Sequence, residues 1–238
     1  MFSDYKANRE LPDNALAYQL KACRQLCRVM GIFEVSSTMY EADDLIGSMV
    51  RTTKMEGIQP VIVSRDKDLM QLIDDDVLYW DFGKSQPQNK KHLEDKLEIN
   101  CSQLADFLAL AGDSSDNIPG VDGIGVKTAR QLLSFFPNVE SIIEHIDQLE
   151  DLPIRGAGKL ADKINMSKDQ IFLSKQLATI VTDIDDGPKI SELAWKGVQV
   201  QAFEIFADEM GFGGRFESRI AKLKQRSLPQ FSSQVISI

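Results

Sequence analysis

Residues 111 to 129, AGDSSDNIPGVDGIGVKTA, constrain this chain more than any other stretch. Leu104, Phe107, Leu108 and Ala111 recur at i, i+3, i+4 and i+7, which marks a helix with one buried face ending where the glycines begin. Val126, Lys127, Thr128 and Ala129 open another helix after them. The segment is therefore expected to be a helix-hairpin-helix. Glycines there let the backbone approach a phosphate closely, while N–H groups and a helix N-terminus hold its charge. Gly120, Gly123, Gly125, Lys127 and Thr128 are the candidate contacts to a nucleic-acid backbone. Asp113 and Asp116 sit in the same polar turn, directly ahead of the hairpin. As Asp, Ser, Asn and Pro are also ordinary turn residues, the acidic pair alone leaves a metal site and a structural turn both open.

Charge has to be reconciled with that expectation. The net charge is −9 over 238 residues, whereas nucleic-acid binders are usually recognised by a basic patch. Whole-chain charge is the wrong scale. Acidic residues concentrate at 66–81, 94–98 and 140–151, and basic ones at Lys6, Arg9, Lys21, Arg24, Arg28, Lys127, Arg130, Arg155, Lys159 and Lys163. A protein that holds cations with carboxylates is locally acidic and can still grip phosphates along another stripe. With 43% hydrophobic and 26% charged residues the composition is that of a soluble globular protein. No stretch is long and apolar enough to span a membrane, and the start MFSDYKANRELPDN lacks an apolar segment, so the expected location is cytoplasmic. Cys23, Cys27 and Cys101 have no His or second Cys pair close in sequence to complete a zinc site, and are expected to be reduced, packed thiols.

Along the chain, residues 13–30 form an expected helix with Asp13 as cap, Gly31 as stop and an apolar stripe of Leu16, Leu20, Cys23, Cys27 and Met30. Lys21, Arg24 and Arg28 lie on another face, which suits solvent better than DNA. A β-prone run at Ile32 to Val35, a helix at Glu41 to Thr53, a buried strand at Pro60 to Ser64, a helical stretch at Leu69 to Ile73 and a β-prone piece at Val77 to Phe82 follow. This alternation predicts an α/β part with a mostly parallel sheet and helical covers. From about residue 100 the pattern is helix after helix, so a boundary is placed near 98: an α/β domain over 1–98, an all-α domain over 99–226, and a tail at 227–238. RGAGK at 155–159 echoes the glycine hairpin, and is either a second phosphate contact or a plain helix-joining loop.

Three acidic clusters fall at element ends. Glu41, Asp43 and Asp44 occupy a first helical turn, where acids also complement the macrodipole. Asp66 and Asp68 lie just past a strand, at the carboxyl edge where ligands of parallel sheets collect, although a polar loop explains them too. Asp113 and Asp116 make the third cluster. Together these seven carboxylates suggest a shared cation. Hard oxygen ligands without His or Cys favour Mg²⁺ or Mn²⁺, and a pair of such ions is suited to phosphodiester hydrolysis.

At these residues the chain resembles the 5′-nuclease family, the flap endonucleases and 5′–3′ exonucleases that include the N-terminal nuclease domain of bacterial DNA polymerase I. The matching motifs are YKANR (5–9), EADDLIG (41–47), SRDKDLMQL (64–72), FLALAGDSSDNIPGVDGIGVKTA (107–129) and LATIVTDI (177–184), spread over roughly residues 2–220. The resemblance implies a PIN-like, Rossmann-like sheet followed by a helix-three-turn-helix domain. It also implies hydrolysis of DNA by a two-metal mechanism, with a role in replication or repair. Glu41, Asp43, Asp44, Asp66, Asp68, Asp113 and Asp116 become metal ligands by this resemblance. Tyr5, Lys6 and Arg9 become DNA-contacting residues, with Lys6 and Arg9 catalytic and Lys6 on the scissile phosphate. K⁺ is implied at the hairpin.

In the family, an early strand carries a metal-binding Asp in a V-D-G-like context, and a second Asp ends a later strand, both ahead of the YK-R segment. Neither stands ahead of Tyr5 here. The expectation is an N-terminally truncated sheet with one of two ion sites incomplete, so that the chain binds metal and DNA but cuts poorly. The alternative is a non-catalytic DNA-binding remnant. In the tail, Gln225, Leu228 and Phe231 loosely resemble the Q-x-x-L-x-x-F peptides that dock on sliding clamps.

Overall fold

The computed structural model describes residues 5–184, 187–214, 218 and 222. In chain order it contains α1 Asn14–Val29, α2 Ala42–Met55, β1 Val61–Val63, β2 Leu78–Trp80, α3 Lys90–Leu97, α4 Leu104–Ala111, α5 Val126–Phe135, α6 Val139–Glu144, α7 Leu160–Met166, α8 Lys168–Ala178, α9 Ile190–Leu193 and α10 Val200–Glu209. The fold is mixed, with a small parallel sheet and a helical remainder. Packing divides the chain into two compact units, one of residues 1–10 and 37–187 and the other of residues 11–36 and 188–238. The change of character near residue 98 thus lies inside the first unit.

In the first unit, β1 and β2 run parallel with Val61 opposite Leu78 and Val63 opposite Trp80. Ile62 and Tyr79 are buried, whereas Val61 and Val63 stay exposed, so β1 is a half-buried strand and not the fully buried one expected. The stretch after β1 is a 3-10 turn, Asp68–Leu72, whose Leu69 and Met70 enter the core. Helix α4 is the hub. Leu104, Ala105, Leu108, Ala109 and Leu110 are all buried, and the helix packs on both α5 and α8. Buried Asp106 fixes this arrangement: its carboxylate accepts from the Val139 N–H at 2.9 Å and from the Lys175 ammonium at 2.7 Å. A buried carboxylate with both partners in place is tolerated where an unpaired one is not.

In the second unit, Asp13 caps α1 by accepting from the Leu16 N–H, and Gly31 turns the chain with φ of +70°. A side chain at Gly31 would also strike the Gly197 carbonyl. The buried face of α1 is Ala22 and Val29, with Leu26 and Met30 partly buried, against Phe203, Phe206 and Ala207 of α10. This corrects the expected stripe. Leu16 and Leu20 are exposed, Cys23 is exposed and Cys27 half-buried, so only Cys101 is a fully packed thiol. Residues 32–35 form no strand: Ile32 and Val35 are exposed, and the segment has no ladder partner. Arg24 and Arg28 both bind Glu34, whose carboxyl is held low chiefly by its hydrogen bond from Arg28. Among the described residues no helix is long and apolar enough to cross a membrane. Gln225, Leu228, Phe231 and the tail lie outside the described residues.

Candidate functional site

Glu41 is the N-cap of helix α2, and a capping box joins it to Asp44 across the first turn. Asp44 is engaged at both oxygens, accepting from the Glu41 N–H at 3.0 Å and from the Val181 N–H at 2.9 Å. It therefore ties the LATIVTDI segment to the start of α2. Gly47 allows that approach, since a Cβ there would lie 2.8 Å from the Ile180 side chain. Gln71, which sequence reasoning passed over, completes the tie. Its amide donates to the Asp68 and Ala178 carbonyls, each at 3.0 Å, and accepts from the Ile180 N–H at 3.0 Å.

These ties enclose a small cavity of about 30 Å³ lined by Tyr5, Glu41, Asp43, Asp44, Asp68 and Asp116, with Leu177 to Ile180 closing one side. Asp66 and Asp113 do not line it, yet their charges reach Asp68. Burial, then the charges of Asp66, Asp113, Asp116 and Asp43, push Asp68 from its ordinary 3.8 up to about 6. Asp43 is raised as well, by burial first and then by Asp66. Asp66 accepts from the Asp68 N–H at 3.0 Å, and Asp113 accepts from the Ser115 N–H and hydroxyl at 2.8 and 2.6 Å, so both carry turn roles. Among the described residues, no three His, Cys, Asp or Glu side chains converge closely enough to ligate an ion as they stand.

Cations from the YKANR segment meet these acids. Lys6, at φ of +56°, donates its N–H to the Asp116 carbonyl at 3.0 Å; its ammonium pairs with Glu41 and lies 3.5 Å from Asp116. Burial disfavours its charge, but hydrogen bonds with Glu41 and Tyr5 outweigh that and hold the ammonium above its ordinary pKa. The Tyr5 hydroxyl is raised by burial. Arg9 pairs with Asp116. Tyr5, Glu41, Asp43, Asp44, Asp68 and Asp116 thus share one cavity, Lys6 and Arg9 pair with two of its acids, and Asp66 and Asp113 lie outside its lining.

The glycine hairpin lies between α4 and α5. Gly120 and Gly112 pack backbone against backbone: a Cβ on Gly120 would meet Gly112 N at 2.5 Å. Gly120 is therefore required by the turn itself. Gly123 has φ of +74°. Gly125 caps α5 in extended backbone with open space around it and no side-chain acceptor, which leaves the first N–H groups of the helix for an outside partner. Lys127 and Thr128 stand in that first turn, with Lys127 exposed. Arg130 pairs instead with Glu98.

Comparison with known proteins bears on this geometry. The family model described as "5′-3′ exonuclease, N-terminal resolvase-like domain" matches residues 1–98, and that described as "5′-3′ exonuclease, C-terminal SAM fold" matches residues 99–201. The chain is 39% identical over 184 residues to a 5′-3′ exonuclease of Buchnera aphidicola subsp. Schizaphis graminum, covering 77% of this chain and 64% of that one. It is 32% identical over 207 residues to a 5′-3′ exonuclease of Buchnera aphidicola subsp. Acyrthosiphon pisum, covering 87% and 72%. Against DNA polymerase I of Bacillus subtilis it is 35% identical over 221 residues, covering 91% of this chain but 24% of the polymerase. Among solved structures, zinc-bound T5 5′-exonuclease superposes with a TM-score of 0.62 at 24% identity, covering 88% of this chain and 76% of that one. The catalytic core of Rad2 with DNA substrate gives 0.60 at 14% identity, covering 93% and 73%. These two likenesses establish a shared fold.

Proposed function

The chain belongs to the 5′-3′ exonuclease family, and from that premise we propose that it is a divalent-metal-dependent nuclease hydrolysing DNA phosphodiesters at flaps, nicks or 5′ ends. The observation that carries this reading is the cavity that Glu41, Asp43, Asp44, Asp68 and Asp116 line together, where burial and then neighbouring carboxylates push Asp68 up. Carboxylates that oppose one another's ionisation call for a cation among them. The donors are all hard oxygens, which suits Mg²⁺ or Mn²⁺. Glu41, Asp43, Asp44, Asp66, Asp68, Asp113 and Asp116 are the proposed ligands. Such ions would supply an activated water and charge stabilisation at the leaving oxygen.

The protein's own groups do the rest. Lys6 and Arg9, at the rim on Glu41 and Asp116, are placed to exchange those partners for a phosphate as DNA arrives, with Tyr5 beside them. The hairpin holds the duplex by its backbone through Gly120, Gly123, Gly125, Lys127 and Thr128, so binding is blind to sequence. K⁺ at the hairpin, sliding-clamp docking through Gln225, Leu228 and Phe231, cytoplasmic location and the division at residue 98 complete the proposal. Saturable binding of a tail peptide to the cognate clamp, read by fluorescence anisotropy, tests the docking part.

The test of the activity is a labelled 5′-flap duplex incubated with Mn²⁺ or Mg²⁺, with EDTA and Asp116→Asn as controls. Metal-dependent cleavage lost in the variant is the expected result. Backbone binding with no cleavage by the wild-type chain would leave a DNA-binding role alone.

A further inference from the structure

Three of the hairpin's carbonyls accept hydrogen bonds from the helices that follow it. Ser174 of α8 donates to the Pro119 carbonyl at 2.6 Å, Gln170 of α8 donates to the Gly120 carbonyl at 2.6 Å, and Lys163 of α7 donates to the Asp122 carbonyl at 2.9 Å. Three carbonyls within four residues of loop thus each receive a donor from a different side chain. A carbonyl oxygen repels a phosphate, so a donor on each of these oxygens lowers that repulsion beside the loop's N–H groups.

Lys163 stands out among the three. It brings a full positive charge to an uncharged oxygen, and its ammonium lies where a side chain on Gly123 would begin, 2.0 Å from the position of that Cβ. Gly123 is therefore favoured by its φ of +74°, and a Cβ there would also displace the ammonium from its seat. The Lys163 charge sits on the turn that leads through Gly125 into the exposed first turn of α5.

We propose that Lys163 is a positioning residue for DNA binding: its ammonium, seated on the Asp122 carbonyl over Gly123, fixes the left-handed turn that presents the hairpin amides to a phosphate. This rests on the reading of the hairpin as a DNA-backbone clamp. Lys163 does not itself contact phosphate, which separates it from Lys127.

The experiment measures affinity for a nicked duplex over a range of salt concentrations for the wild-type chain, Lys163→Ala and Lys127→Ala. Loss of a charged hydrogen bond that orders the loop should weaken binding by Lys163→Ala on the order of tenfold. The slope of log affinity against log salt should stay at the wild-type value, whereas Lys127→Ala flattens it by about one unit or less. Propylammonium, which replaces the deleted atoms, should restore part of the Lys163→Ala loss and leave Lys127→Ala unmoved, a response that general destabilisation of the fold would not give. If thermal melting finds Lys163→Ala unfolded, Lys163→Gln is read in its place, with intermediate affinity and the wild-type slope expected. Unchanged affinity, a flattened slope, or a loss that propylammonium does not relieve overturns the proposal. Absence of DNA binding by the wild-type chain overturns the clamp reading itself.

Discussion

Asp68→Asn should make the metal-free protein more stable while strongly weakening its response to divalent cations. Burial and four neighbouring carboxylates raise Asp68 from 3.8 to about 6. Its pKa is higher folded than unfolded, so between about pH 4 and pH 6 the folded state keeps a proton that the unfolded state releases. Stability in the absence of metal therefore falls as pH rises through that window, and the whole penalty is present above it. At 1.36 kcal/mol per pH unit the rise corresponds to roughly 3 kcal/mol. Asp68 is only partly buried, and screening by water lowers the working figure to about 1–2 kcal/mol. The amide keeps the shape and discards the charge. The variant should thus gain about 1–2 kcal/mol over wild type near pH 8, with the gain shrinking toward zero near pH 4 where Asp68 is itself neutral. Urea denaturation in EDTA, run on both proteins across this range, measures the difference. A variant no more stable than wild type near pH 8, or a difference that does not change with pH, would refute the electrostatic account.

Lys127→Ala should weaken binding to all duplex sequences alike, as judged by anisotropy with several unrelated duplexes, since a phosphate contact carries no base information. Gly47→Val should destabilise the first unit by about 1–3 kcal/mol in chemical denaturation, because even its Cβ would lie 2.8 Å from Ile180 and 3.1 Å from the Val181 carbonyl. Asp13→Ala should cost about 1 kcal/mol of stability by removing the bond to the Leu16 N–H, with metal binding unchanged in a Mn²⁺ titration.

What the sequence carried plainly was local. Asp13 and Gly31 bound the first helix because capping and a positive φ are decided by neighbouring residues. The acids of 41–44, 66–68 and 113–116 could be assigned to element ends for the same reason, and motif resemblance joined them. The buried face of α1 was misread because its partner is α10, whose Phe203 and Phe206 are remote in sequence, and a helix with apolar residues on two faces does not say which one is covered. Residues 32–35 have strand propensity but no partner, and strand formation depends on pairing more than on propensity. Gln71 went unread, and Lys163 was read only as part of a basic stripe, because a side chain that serves a distant backbone group leaves no periodic trace. Gln71 reaches Ile180 across 109 positions, and Lys163 reaches Asp122 across 41. Gly120, expected at a phosphate, proved essential for the crossing of its own backbone with Gly112.

The central claim is that the acidic cavity is a divalent-cation site, and electron paramagnetic resonance of a Mn²⁺ titration tests it most directly by separating bound from free ion. The account predicts saturable binding to the 238-residue chain that is displaced by Mg²⁺ and strongly weakened in Asp68→Asn, even though that variant is the more stable protein. Failure of the wild-type chain to take up Mn²⁺, or uptake that Asp68→Asn leaves unchanged, would contradict it.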